Sequence, residues 1–292
     1  MAGAGSTLVL TVLAMVAFAA NSLLCRLALV DPTIDPASFT AVRLLAGALA
    51  LALIAALRGG ASKLITAGSW RSGAALFAYA AAFSFAYVTL GASTGALILF
   101  GAVQITMIGF GMARGEKLGA AQWLGAMLAI GGLAYLLAPG LHAPSPVGAA
   151  LMAGAGVAWG AYSLLGRSAR SQRFEPTLVT AGNFLRATPM ALALLAPFAS
   201  TLHLSLEGIA LAIASGAIAS GLGYAVWYTA LKGLRASEAA IVQLTVPVIA
   251  AAGAILLLGE ALTLRFVLAS AAILGGVALV LIAQTRTKAS RR

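Results

Sequence analysis

A guanidinium held away from water is a ready receptor for a carboxylate, because its N–H groups form a planar fork that matches two carboxylate oxygens. The chain places two arginines in that situation: Arg43 in "TAVRLL" and Arg186 in "NFLRATP", each about two turns inside an apolar run. Either one could bind a solute carboxylate, or each could tie to a backbone carbonyl as structural glue, and the second reading is preferred. Asn21, Ser22, Gln104, Tyr162, Ser163, Asn183 and Gln243 are polar at similar depth. Such groups are costly in hydrocarbon and point to a partner or a water-filled cavity.

Aromatic residues supply the second chemical element. Tyr79, Phe83 and Tyr87 recur every four residues and share one helical face. Phe100, Trp159 and Tyr162 come from other runs, and aromatic walls with a few polar groups make a pocket for an amphipathic solute. Tyr224, Trp227 and Tyr228 lie on the eighth run, the last two suiting an interfacial belt.

What must position these residues follows from composition. The 292 residues are 62% hydrophobic and 9% charged, whereas a soluble domain carries about 25% charged residues. The solvent is therefore lipid. A membrane helix takes ~20 apolar residues, and ten runs qualify: 6–29, 37–57, 73–90, 94–113, 119–138, 147–167, 177–198, 207–229, 237–257 and 263–284. They are continuous and rich in Ala and Leu, which excludes a membrane β-barrel. The first run is expected to be retained as a helix rather than cleaved as a leader. The single Cys25 is expected to be a small packed residue.

The net charge of +11 is a topology signal. Arg58, Lys63, Arg71, Arg114, Lys117, Arg167, Arg170, Arg173, Lys232, Arg235 and the basic tail all fall on one side, while the opposite breaks hold only Arg26 and Arg265. The positive-inside rule then puts both termini in the cytoplasm. Nucleic acid is not an expected partner; the bilayer is.

The chain also repeats itself. "SLLCRLA" at 22–28 aligns with "SLLGRSA" at 163–169, "TAVRLL" at 40–45 with "TAGNFL" at 180–185, and "GASTGALI" at 91–98 with "RASEAAIV" at 235–242. Gly115 and Glu116 align with Gly259 and Glu260, and all these offsets lie between 140 and 144 residues. Residues 1–140 and 141–292 are thus two copies of five helices. Five being odd, the second copy enters from the opposite side, which makes an inverted repeat around a central cavity. Gly115 and Gly259 end helices, and Glu116 and Glu260 are expected to cap the positive end of the helix that follows. Pro189 and Pro247 interrupt helices seven and nine and are hinge candidates.

Two five-helix copies, each with a polar first helix and a Gly-Glu turn before its last helix, resemble the drug/metabolite transporter superfamily, specifically its EamA-type members. Within that group the chain is similar to bacterial inner-membrane aromatic amino-acid exporters. The resemblance implies export of small metabolites by alternating access, through a cavity built from both halves, with no cofactor. It also implies that Tyr79, Phe83, Phe100 and Trp159 line that cavity; Asn21, Gln104, Tyr162 and Gln243, polar at membrane depth, are expected to contribute to it as well. Phe83 and Phe100 lack a polar handle, which broadens the expected amino-acid range. A nucleotide-sugar or cationic-drug exporter is the alternative. No zinc-protease, nucleophile-elbow or phosphate-loop spacing is present, so a membrane enzyme is the remote one. Oligomeric state is not fixed by the sequence, and a monomer is compatible with it.

Overall fold

The computed structural model describes residues 4–31, 33–115, 118–138, 143–166, 173–230, 233–234 and 242–289. Among these the chain is helical, with no strand and one isolated bridge between Ile34 and Leu204. The main helices are α1 (Ala4–Val30), α2 (Pro36–Leu57), α3 (Trp70–Tyr87), α4 (Ala92–Ala113) and α5 (Ala120–Leu137). They continue with α6 (Pro146–Leu165), α7 (Pro176–Ala193), α8 (Leu206–Ala230), α9 (Thr245–Leu258) and α10 (Leu264–Ala289).

Local chemistry sets the helix starts. Asp35 accepts the Ala37 and Ser38 N–H groups at 3.0 and 2.9 Å, with Pro36 as the first helical residue of α2. Ser69, Ser145 and Ser205 cap α3, α6 and α8 in the same way. The cap at Ser69 starts α3 three residues ahead of the expected run at 73–90. The stretch expected for the ninth helix, 237–257, is described only from residue 242, and its described helix is Thr245–Leu258.

Seven of the described helices are long and apolar enough to cross a bilayer, and Thr245–Leu258 and Leu264–Val280 are shorter apolar segments. α3 is not among the seven, because Arg71 and the hydroxyls of Ser72, Tyr79, Ser84 and Tyr87 dilute its apolar character. It sits between α6 and α7 instead. The polarity of the bundle is inside out relative to a soluble protein. Asn21, Arg43, Gln104 and Asn183 are buried, while leucines such as Leu256, 81% exposed, face outward.

α8 departs from a regular helix. Ala214–Leu222 is a π segment between two α-helical pieces, a feature that concentrates at functional sites. Gly216 lies in it with its α-carbon against the Arg43 carbonyl of α2; a Cβ there would collide with backbone.

The principal helix pairs obey one rule. α5–α10, α2–α7 and α4–α9 pack together, and each maps onto itself when every helix is replaced by the one five positions along. The same exchange turns α3–α6 into α8–α1, α4–α6 into α9–α1 and α3–α7 into α8–α2, all of which pack. Glycine contacts follow suit: Gly73 of α3 lies against Asn183 and Gly216 of α8 against Arg43, the residue aligned with Asn183.

Candidate functional site

A small chamber lies where α1, α3, α4, α6 and α8 meet. Phe18, Asn21 and Ser22 enter it from α1, Tyr79 and Phe83 from α3, Leu99 and Phe100 from α4, Trp159 from α6, and Ala219, Ser220 and Tyr224 from α8. Its space is about 20 Å³, enough for one water. The walls are closed on one another.

Trp159 is the hub of those walls. Its ring lies 4.9 Å from Tyr79, 5.2 Å from Tyr224 and 5.5 Å from Tyr162, centroid to centroid. Tyr79 in turn stacks on Phe83 at 5.3 Å, and Phe18 meets Tyr224 edge-on at 5.7 Å. The spacing of Tyr79 and Phe83 on one face of α3 therefore delivers both rings to one cavity, as helical periodicity requires.

A chain of hydrogen bonds backs the aromatic wall. The Ser215 hydroxyl donates to Asn21 Oδ1 at 2.6 Å, and Asn21 Nδ2 donates to the Tyr79 hydroxyl at 3.2 Å. Arg43 Nη2 donates to the same hydroxyl at 3.3 Å. The Arg43 guanidinium, 1% exposed, lies over the rings of Phe83 and Tyr79 at 4.9 and 5.3 Å. It stands behind the wall rather than in the chamber. Among the described residues its Nη1 has no partner, and the buried Ser220 hydroxyl on the chamber wall has none either.

The other residues singled out from sequence scatter around this centre. Tyr162 lies behind Trp159, and its hydroxyl accepts from Asn183 Nδ2 at 3.3 Å. Asn183 Oδ1 accepts the Ser69 N–H at 3.0 Å, tying α7 to the start of α3. Gln104 is buried on α4 one turn past Phe100, and Gln243 is half-buried just ahead of α9; neither lines the chamber. Arg186 donates to the carbonyls of Ile65, Ala67 and Gly182 and holds the α2–α3 connection against α7. Pro189 lies inside α7, which runs on through it. Pro247 has no backbone N–H to give to the helix, and the chain turns at Leu244 before α9 begins.

The Gly-Glu turn works at longer range than its own helix. Gly259 ends α9 in the left-handed conformation, φ +65°, where a side chain would be strained. Glu260 then caps α4 rather than α10: its carboxylate accepts the Ala92 and Ser93 N–H groups and the Ser93 hydroxyl. The N-cap of α4 is Gly91, which has no side chain to do this. Arg26 of α1 donates to the Tyr87 and Val88 carbonyls at 2.8 and 3.2 Å, at the C-terminal end of α3. The α3–α4 turn is thus held by an anion at one helix start and a cation at one helix end, each on the favourable pole. Gly115 also has a positive φ, +86°, after α4; Glu116 lies outside the described residues.

Sequence reasoning missed Phe18, Ser215 and Ser220. The two serines flank glycines in "ASGAIASGL", a small-residue stretch that signals close packing but not a chamber wall.

The sequence profile of the EamA-like transporter family matches residues 5–138 and 146–282. The chain belongs to that family. It is 57% identical over 275 residues to an uncharacterised protein of Pseudomonas aeruginosa, covering 94% of each chain. A crystal structure 20% identical in sequence superposes with a TM-score of 0.69, over 96% of this chain and 98% of that one, and so shares the fold. Membership makes the protein a multi-pass membrane transporter of the drug/metabolite superfamily, and its chamber is to be read in that light.

Proposed function

We propose that the protein exports amino acids, aromatic and other neutral ones, and similar small metabolites across a bacterial-type inner membrane by alternating access. In this reading ten membrane helices form two inverted five-helix repeats, both termini are cytoplasmic, and the solute occupies the chamber bounded by Trp159 and Tyr79. No cofactor takes part, and a monomer suffices.

The carrying observation is the composition of the chamber: residues of α1, α3 and α4 from one half meet residues of α6 and α8 from the other around aromatic rings with few polar groups. Aromatic rings suit the body of an amphipathic solute, and hydroxyl and amide groups suit its polar end. The exchange rule among the helix pairs supports the repeat, and the closed walls suit a site that opens to one side at a time.

The test is transport itself. Protein reconstituted in liposomes preloaded with a panel of labelled amino acids should release a subset of them, and Trp159→Ala and Tyr79→Ala should each slow release at least tenfold. Unchanged release in both variants would remove the chamber as the site.

A further inference from the structure

The hydrogen-bond chain behind the chamber has a direction. Ser215 donates to Asn21, Asn21 donates to Tyr79, and Arg43 donates to Tyr79. The Tyr79 oxygen therefore receives two N–H groups, one of them cationic, and both of its acceptor sites are taken. What remains to Tyr79 is its own O–H, and Tyr79 lines the chamber.

The charge beside it is equally one-sided. Asp31, Asp35, Glu175, Glu207 and Glu260 all fall in connections or helix ends, so no described carboxylate accompanies Arg43 at its depth in the bundle. Arg43 is fully buried with Nη1 unpartnered among the described residues, and the Ser220 hydroxyl on the chamber wall is a second polar group in that state. A buried cation without a counter-ion favours negative charge nearby. Among the described residues no acidic side chain lines the chamber to receive an ammonium group.

We infer that the Tyr79 hydroxyl, polarised by Arg43 and Asn21, is the donor that takes the carboxylate of the solute. The chamber then selects small aromatic or aliphatic carboxylates, zwitterionic amino acids included, and rejects the corresponding amines. Arg43 is a positioning residue: it acts through Tyr79, whose ring with that of Phe83 separates it from the solute. Ser215 is a second one, since its hydroxyl holds Asn21 in the orientation that presents Nδ2 to Tyr79. This assignment rests on the chamber being the transport site.

The experiment measures binding of phenylalanine, 3-phenylpropionate and phenethylamine to the purified full-length protein in lipid nanodiscs by calorimetry. The two carboxylates should bind at least tenfold more tightly than the amine. Tyr79→Phe keeps the ring and should bring the acid-to-amine ratio near one; Arg43→Gln should do the same, and Arg43→Lys should restore part of it. Trp159→Ala should weaken all three probes and keep the ratio, which a merely structural role for Arg43 would also do. Amine binding as tight as acid in the wild type, or a ratio unchanged in Tyr79→Phe, would overturn the inference and leave the transport site standing. Binding of none of the probes, together with no release of any amino acid from liposomes, would overturn both readings. Should Arg43→Gln fail to elute as a single folded species, the wild-type ratio and Tyr79→Phe still decide.

Discussion

The Ser93 hydroxyl donates to the Glu260 carboxylate across 2.6 Å, so the turn before α10 holds the first residues of α4 from 167 positions away in sequence. Charge-assisted hydrogen bonds of this kind contribute about 1.5–3 kcal/mol each in favourable settings. Glu260→Ala should therefore lower the thermal unfolding midpoint in detergent, Ser93→Ala should lower it less, and the double variant should lose less than the sum. Full additivity would show that the two side chains act independently.

Gly216 is a position where any side chain meets backbone. Gly216→Ala sets a methyl against the Arg43 carbonyl and should cost about 1–3 kcal/mol by overpacking. The control is Gly131→Ala on the outward face of α5, where a Cβ would meet no described atom within 4 Å beyond its own helix; there alanine should be neutral or stabilising. Comparing the two unfolding midpoints checks the contact directly.

The placement of acids bears on energy coupling. Asp31, Asp35, Glu175, Glu207 and Glu260 stand at helix ends or in connections, and Glu116 and Glu238 lie outside the described residues. A proton relay normally uses an ionisable group within the membrane. A pH jump across proteoliposomes, with no solute gradient, should drive no net solute movement. Accumulation driven by the proton gradient alone would reveal a relay elsewhere.

The chamber's closure is testable through thiols. Cys25, the one cysteine in the sequence, is fully buried, so maleimide should label it only after denaturation. In a Cys25→Ser background, Ser220→Cys should react slowly and in proportion to chamber opening, and a transported solute should slow the reaction further. Rapid labelling that ignores solute would mean the chamber stands open.

Much of this arrangement was legible in the sequence, and the parts that were not share a cause. The apolar runs expected from 37, 147 and 207 begin within a residue of the helices at Pro36, Pro146 and Leu206, and Gly259 ends a helix as expected, because these limits are local chemistry. The aromatic face of α3 follows from four-residue spacing, and the structure delivers Tyr79 and Phe83 to one wall with Trp159. The target of Glu260 was not legible, because a carboxylate at a helix start suits its own helix equally well and only tertiary packing brings Gly91 beside it. Arg43 and Arg186 looked alike in depth, yet three backbone carbonyls surround one and aromatic rings the other. The π segment of α8 left no periodic trace beyond its small residues.

The contact between Gly125 of α5 and Gly276 of α10 brings two backbones so close that a Cβ on either would sit 2.5 Å from the other's carbonyl oxygen. Under the helix exchange the α5–α10 helix pair turns into itself, so a bundle that inverts its access by that exchange can leave α5–α10 untouched. Under the proposed alternating access that helix pair is the fulcrum against which the remaining helices rock, and a bulky residue at either glycine would jam the pivot without touching the solute.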